Sequence, residues 1–266
     1  MRADSPPVRL PGMDAAERVA EAFVAAERSR AMASPRGEVV ELDGIVLAFT
    51  NLPDEGLNAG IVVGMPADPA GTIAAAAAAA RERGYPLGLE VERGRHPLFE
   101  EALTEAGLTR LFSHPALVAD PVSMWHPPAP PGLLMASVID PTGLAAMVSV
   151  EVEAFGTDPD VARGLLSPGL LREKDTRAFV GMLERRPVAQ SIGYRLRDAV
   201  GVFGVGVRPH ARRRGIGAAM TVAAATSFPG VNLVWLHPTR MARSMYERLG
   251  FREAAVWDVW TSPGPA

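Results

Sequence analysis

One stretch of the sequence combines residue types that bind phosphate, and it runs from Val205 to Ala218 (VGVRPHARRRGIGA). An apolar segment ends at Val207, and after Pro209 three arginines and two glycines precede an alanine-rich segment. Glycines let the backbone approach an anion closely, and the first N–H groups of a helix have no partner within the helix. The helix dipole favours negative charge there, and a guanidinium can bind phosphate through two N–H groups. The pattern therefore predicts a diphosphate site at a helix N-terminus.

The spacing excludes two common nucleotide-binding motifs. A Walker P-loop needs G-x-x-x-x-G-K-[ST], but the only lysine in the chain is Lys174. A Rossmann turn needs G-x-G-x-x-G directly after its strand, whereas Gly204 and Gly206 are followed by Val-Arg-Pro. What remains is the pattern R-x-x-G-x-G at residues 212–217. Taken alone, this motif is equally compatible with a basic loop that caps an ordinary helix.

A second motif lies downstream, from Thr239 to Phe251 (TRMARSMYERLGF). Apolar side chains recur every fourth residue from Met241 to Leu249, which predicts a helix with one buried stripe. Gly250 stands where a left-handed residue typically ends a helix. Tyr246 lies one position off the stripe, so we expect its phenol to reach a neighbouring cleft.

Together, the two motifs resemble the GNAT superfamily of acyl-CoA-dependent N-acetyltransferases. In that superfamily the pyrophosphate loop reads [Q/R]-x-x-G-x-[G/A], and a later helix often reads N-x-x-A-x-x-L-Y-x-x-x-G-F. The positions that match the second pattern are Ala242, Tyr246, Gly250 and Phe251. Met245 replaces the leucine, and Thr239 replaces the frequent asparagine.

The resemblance implies that acetyl-CoA binds as a cosubstrate where the strand ending at Val207 splays from a strand at 232–236. An unpaired strand edge can pair with the pantetheine amides, and a backbone N–H near Val205 can polarise the thioester carbonyl. The residues implied in cofactor binding are Val205, Gly206, Val207, Arg212, Arg213, Arg214, Gly215, Ile216, Gly217 and Ala218. No metal is implied.

Direct transfer to an amine requires a base, because the amine is mostly protonated at pH 7, and an acid for the departing thiolate. The resemblance implies Tyr246 as the acid, since a phenol has a reference pKa near 10. The base stays open among Glu151, Glu153, His237 and a water chain. The two glutamates are two apart on a helix and cannot both face the cleft, while histidine suits base chemistry near neutral pH. Each of the three is also compatible with a surface or turn residue.

Composition limits the other classes of function. The net charge of −3 gives no general reason to expect nucleic-acid or membrane binding. The absence of cysteine excludes disulfides, thiolate zinc sites and cysteine nucleophiles. No N-terminal apolar run is typical of a signal peptide, so we expect a cytoplasmic protein. The remaining histidines show no ligand spacing, so we expect no metal site; they are His96, His114, His126 and His210.

The proline-rich segment 120–132 separates two globular stretches and predicts domains at 1–128 and 129–266. The C-terminal stretch predicts an α/β fold. Its expected elements are strands at 133–138, 178–183, 187–196, 199–207, 232–236 and 252–261, with helices at 144–155, 160–171, 215–227 and around Tyr246.

The N-terminal stretch repeats the second half of this pattern. An alanine-rich helix opened by Gly71, a strand at 87–91 and a helix at 97–106 follow in the same order. Leu103 takes the place of Tyr246, and the loop at 65–71 has two aspartates in place of arginines. We expect a degenerate GNAT-like domain that has lost its cofactor site, with an unrelated α/β domain as the alternative. The fold class is then α/β with a mixed sheet: two GNAT-like domains in tandem, each a mostly antiparallel sheet flanked by helices.

The favoured function is an N-acetyltransferase whose active site lies in the C-terminal domain, with the N-terminal domain beside its acceptor pocket. The alternative is a non-catalytic CoA-binding regulatory or scaffold protein. The expected partner is a small-molecule or peptide amine, and the family analogy adds a homodimer.

Overall fold

The computed structural model describes residues 15–262 and confirms a mixed central sheet flanked by helices. The helices are α1 (Ala15–Ala33), α2 (Pro69–Glu82), α3 (Pro97–Glu105), α4 (Pro141–Phe155), α5 (Pro159–Leu165), α6 (Ile216–Ala225) and α7 (Arg243–Leu249). The strands are β1 (Glu38–Leu42), β2 (Ile45–Phe49), β3 (Asn58–Val62), β4 (Gly88–Glu92), β5 (Thr109–Ala119), β6 (Leu134–Ser137), β7 (Thr176–Leu183), β8 (Arg186–Leu196), β9 (Ala199–Val207), β10 (Leu233–Leu236) and β11 (Arg252–Thr261). Within this part of the chain no helix is both long enough and apolar enough to span a membrane.

The helix boundaries follow local signals. Asp68, Asp140 and Asp158 each accept a backbone N–H at the start of a helix whose first residue is proline. Gly156 and Gly250 end α4 and α7 in the left-handed conformation. The helical region expected at 160–171 is instead α5 followed by a short 3₁₀ turn. Pro168 explains the interruption, because a proline disfavours helical backbone in the residue before it.

All the strands belong to one sheet, in the order β1-β2-β3-β4-β11-β5-β10-β9-β8-β7-β6. The last strand of each half, β5 in the N-terminal half and β11 in the C-terminal half, pairs with strands of the other half. Strand β5 pairs antiparallel with β10, with Leu117 opposite Leu236, and β11 pairs antiparallel with β4, with Trp260 opposite Leu89. The expected boundary near residue 128 lies in the connection between β5 and β6, but this strand exchange makes the two halves share one sheet.

Helix α1 covers the joint between the halves. Its Phe23 ring lies 5.9 Å from the Trp235 ring and 5.2 Å from the Trp257 ring, both edge-on. The two tryptophans are fully buried and come from β10 and β11. Aromatic contacts of this kind add to the burial of apolar area, so α1 ties the exchanged strands together.

Candidate active site

A cleft of about 790 Å³ opens where β9 and β10 diverge. The two strands are parallel and pair only over residues 199–201 and 233–235. Beyond Gly201, β9 continues to Val207 with that edge free of β10, and its residues 202–207 line the cleft. Unpaired backbone groups must find other partners, so this edge is suited to an extended ligand with amide groups.

A bulge in β9 shapes the same edge. Gln190 of β8 lies opposite Gly206, and Ile192 lies opposite Phe203, so two residues of β9 face one residue of β8. Gly204 has a positive φ of 56° at this point. A bulge of this kind bends its strand and turns backbone groups out of the ladder, which opens the fork further.

The N-terminus of α6 closes one end of the cleft. Gly215 precedes the helix with a φ of 79°, a left-handed conformation that favours glycine. A Cβ on Gly217 would lie 3.2 Å from the Met245 sulfur, so a larger residue would press on α7 and the methionine would have to shift. Gly215 has no side chain that could cap the helix, so the free N–H groups of the first helical turn face the cleft.

The corresponding helix of the N-terminal half is capped by the protein itself. The Asp68 carboxylate accepts the Gly71 N–H at the start of α2, at 3.0 Å. A carboxylate occupies the place that a phosphate would need, and its charge repels an anion. This contact gives the physical reason why α2 is unsuited to a diphosphate and α6 is suited to it.

The arginines of the loop have different roles. Arg212 donates to the Val207 carbonyl at 3.0 Å and to the Ala154 carbonyl at 2.8 Å, so it anchors the loop to β9 and the end of α4. Arg213 is exposed, has a φ of 62° and lines the cleft. Arg214 is exposed and does not line the cleft. All the other cofactor-binding residues expected from the sequence do line it.

Tyr246 lines the cleft from α7 and is 7% exposed. The Thr221 side chain of α6 lies beside the phenol and donates its own hydroxyl to the Gly217 carbonyl at 2.8 Å. Burial raises the pKa of Tyr246 to about 12, although the Thr221 contact acts in the opposite direction. The phenol therefore stays protonated at neutral pH and is available as a proton or hydrogen-bond donor.

This raised pKa predicts an alkaline loss of stability. The folded pKa lies above the ordinary value of 10, so the stabilisation is complete below pH 10 and is lost as the pH rises towards 12. Between pH 9 and pH 11 the free energy of unfolding should fall by roughly 1 kcal/mol more in the wild type than in Tyr246→Phe. Urea unfolding of both proteins measures this difference, and parallel pH curves would contradict the buried phenol.

The two glutamates are placed differently from His237. The Glu151 carboxylate is buried between Gln190 and Thr157, and burial raises its pKa. Glu153 is half-exposed and pairs with Arg208 at 3.1 Å. Both lie outside the residues that line the cleft, whereas His237 lines it at the end of β10.

His237 also has an unexpected neighbour. Its ring centroid lies 4.4 Å from that of His114, and His114 contacts Glu90. Burial, together with the proximity of His114, holds the pKa of His237 well below its ordinary value. Sequence spacing did not predict this cluster, because His114 is brought to His237 only by the exchanged strand β5.

Residues 174–253 match a family model described as an acetyltransferase (GNAT) domain. A GNAT domain is thus recognised within the C-terminal half, at residues 174–253. The match includes β9, the arginine loop, α6, β10 and α7, which form most of the cleft. The recognition of this superfamily from its two sequence motifs is therefore confirmed.

Solved GNAT structures resemble the chain over nearly its whole length. A GCN5-related N-acetyltransferase from Kribbella flavida is 25% identical, with a TM-score of 0.76 over 96% of this chain and 98% of that chain. A tandem GNAT protein from the clavulanic acid biosynthesis pathway is 15% identical, with a TM-score of 0.61 over 96% and 98%. A glucosamine N-acetyltransferase region of a fungal multi-domain β-N-acetylglucosaminidase is 14% identical, with a TM-score of 0.62 over 91% of this chain and 34% of that chain. No curated protein sequence matches the chain.

Proposed function

We propose that this protein is an N-acetyltransferase that transfers the acetyl group of acetyl-CoA directly to a primary amine. The observation that carries the proposal is the fork between β9 and β10, which leads to the uncapped N-terminus of α6 and has Tyr246 on its wall. The GNAT domain and the likeness to N-acetyltransferase structures support an acetyltransferase.

The residues of the cleft fit this cosubstrate. The first turn of α6 and Arg213 would hold the diphosphate, because backbone N–H groups and a guanidinium both donate to phosphate oxygens. The free edge of β9 at residues 205–207 would pair with the amides of the pantetheine arm. Acetyl-CoA supplies the activated thioester, and a β9 backbone N–H would stabilise the charge that develops on its carbonyl oxygen.

Tyr246 lies on the side of the sheet that suits a proton donor to sulfur. It packs with Val234 and Leu236 on the face covered by α6 and α7, where the loop that would hold the diphosphate also lies. Its protonated phenol would give a proton to the departing thiolate. Acetyl transfer would therefore proceed by direct attack of the amine, with no acetylated protein residue.

Amine-dependent release of CoA tests this function. We expect thiol release from acetyl-CoA in the presence of at least one class among amino sugars, polyamines, amino acids, peptide N-termini and aminoglycosides. The chain contains no cysteine, so a thiol reagent detects only CoA, and mass spectrometry of the product shows an acetylated amine. Tight acetyl-CoA binding without release for every class would contradict the enzyme and indicate a CoA-binding regulatory protein.

A further inference from the structure

Three polar side chains from separate parts of the sequence meet beside the fork. They are Glu90 on β4, His114 on β5 and His237 directly after β10. One nitrogen or oxygen of each lies within 4.8 Å of the others. The His114 Nε2 atom lies 2.8 Å from a Glu90 carboxylate oxygen, and both side chains are mostly covered.

The strand exchange assembles this cluster. Strand β5 of the N-terminal half lies directly beside β10 of the C-terminal half. On its other edge β5 pairs with β11, and β4 follows beyond β11. His114 and Glu90 thus reach a residue of the GNAT domain's cleft from a half of the chain that has no diphosphate site of its own.

His237 faces the side of the sheet opposite to Tyr246. Alternate residues of a strand point to opposite faces, so His237 shares the face of Trp235, while Leu236 packs with Tyr246. The Phe23 ring of α1 lies 4.6 Å from the His237 ring on that face. A thioester in the fork would then have a proton donor on one side and an imidazole on the other.

Two ring nitrogens of the cluster lack hydrogen-bond partners. The Nδ1 atom of His114 and the Nε2 atom of His237 are both sealed from solvent, and neither has a hydrogen-bond partner among the described residues. With Nε2–H of His114 donated to Glu90, the free lone pair of His114 is on Nδ1. The two atoms are not hydrogen-bonded to each other in this structure. A closer approach of the two rings would let that lone pair accept Nε2–H of His237, and the Nδ1 lone pair of His237 would then be left for the cleft.

We propose that His237 is the general base for the acceptor amine, and that His114 and Glu90 of the other half are positioning residues that fix its tautomer. This inference rests on the proposed function. His237 takes one proton from the ammonium group and releases it to solvent, and the amine nitrogen then bonds to the thioester carbon. As the C–S bond breaks, Tyr246 protonates the thiolate; the second N–H proton leaves through His237 to solvent, from which Tyr246 regains its own proton. Overall the ammonium loses two protons, of which one ends on the CoA thiol and the other in solvent.

We call Glu90, His114 and His237 the relay. The charged groups that surround it are compatible with a neutral His237. Glu27 and Arg30 on α1 pair with each other. Burial raises the pKa of Glu27, and the nearby charge of Glu90 raises it further. On the cleft side, His237 shares the lining with Arg212, Arg213, Arg248 and Tyr246. A neutral imidazole already has the lone pair that a base requires, so the cluster needs no prior deprotonation at pH 7.

The test compares His237→Gln and Glu90→Gln with the matched control His96→Gln, since His96 lies at the start of α3, away from the cleft. With an amine that the wild type acetylates, His237→Gln should lower kcat by about 100-fold at pH 7, within the usual range for a general base. Its rate should recover towards wild type as the pH approaches the pKa of the amine, because hydroxide then supplies the free amine. The acetyl-CoA Kd should be unchanged, which also shows that the variant is folded.

Glu90→Gln should lower kcat by about 10-fold and shift the acid limb of the pH profile, an effect that a purely structural contact would not have. A wild-type pH profile in His237→Gln, with turnover intact, would overturn the relay while leaving the proposed function standing. Independently of turnover, imidazole ¹⁵N spectra of the acetyl-CoA complex should show the Nε2–H tautomer for both histidines. An Nδ1–H tautomer of His237, or one equivalent of a divalent metal that Glu90→Gln releases, would contradict the relay.

Discussion

Replacing Gly215 by glutamate is expected to abolish acetyl-CoA binding, with a rise in Kd of at least about 100-fold, or about 2.8 kcal/mol. The new carboxylate would lie at the uncapped start of α6, where we place the diphosphate. Two like charges about 4 Å apart near a protein surface repel by about 4 kcal/mol, which is sufficient for this effect. At the start of α2 the Asp68 carboxylate already accepts a backbone N–H from the corresponding position. The variant would place a carboxylate at the start of α6 in the same way.

Gly84→Glu is the matched control for this substitution. Gly84 has a φ of 80°, nearly the same as the 79° of Gly215, and a Cβ there would meet nothing within 4 Å. Both variants therefore share the strain of a left-handed non-glycine residue, about 1–2 kcal/mol, but only Gly215→Glu puts charge at the cleft. Isothermal titration with acetyl-CoA measures both, and equal affinities would show that the diphosphate is held elsewhere.

Removing the Tyr246 hydroxyl is expected to leave acetyl-CoA binding intact and to lower kcat by about 10²–10³, as expected for the loss of a general acid. Tyr246→Phe keeps the ring and its edge contact with Phe251 at 5.8 Å, so the core of α7 is preserved. The thiolate would then leave without a proton donor. Single-turnover CoA release separates this chemical step from binding.

Tyr85→Phe provides the control for the loss of a hydrogen-bonded phenol. The Tyr85 hydroxyl donates to the Leu52 carbonyl at 3.1 Å in the N-terminal half. We expect Tyr85→Phe to cost about 1 kcal/mol of stability and to leave kcat unchanged. If the two variants retained the same kcat, Tyr246 would have no part in proton transfer.

The sequence predicted the elements of the C-terminal half well because their signals are local. Gly250 ends α7 and Asp140 caps α4 within a few residues of the elements they define. The strand expected at 252–261 has those bounds in the structure. The loop at 212–218 was found because one short segment holds both its arginines and its glycines.

Elements before residue 65 were not predicted from the sequence, although one signal was present. Asp43-Gly44 is a two-residue hairpin turn, with Leu42 paired to Ile45 and a φ of 71° at Gly44. Asp-Gly between apolar segments is a strong hairpin signal. Helix α1 is harder to recognise, because its alanines are spread over buried and partly buried positions and weaken the apolar periodicity.

The strand exchange and the Glu90–His114–His237 cluster were beyond local reasoning. Nothing in the spacing of β5 shows that it pairs with β10 rather than with β4, since both are short strands of four or five residues. Register and strand order are set by tertiary packing, here by α1 against Trp235 and Trp257. His114 was therefore expected to be unrelated to the site, and only the sheet order brings it there.

The central claim is that the cleft binds acetyl-CoA through the first turn of α6, and thermal unfolding with acetyl-CoA, CoA and ATP in parallel tests it most directly. At about 100 times its Kd, a ligand stabilises the folded protein by about 2.7 kcal/mol, which for a chain of this size raises Tm by about 5 °C. We predict this shift with acetyl-CoA and with CoA, but not with ATP, which lacks the pantetheine arm that pairs with β9. An unchanged Tm with all three ligands would contradict the account.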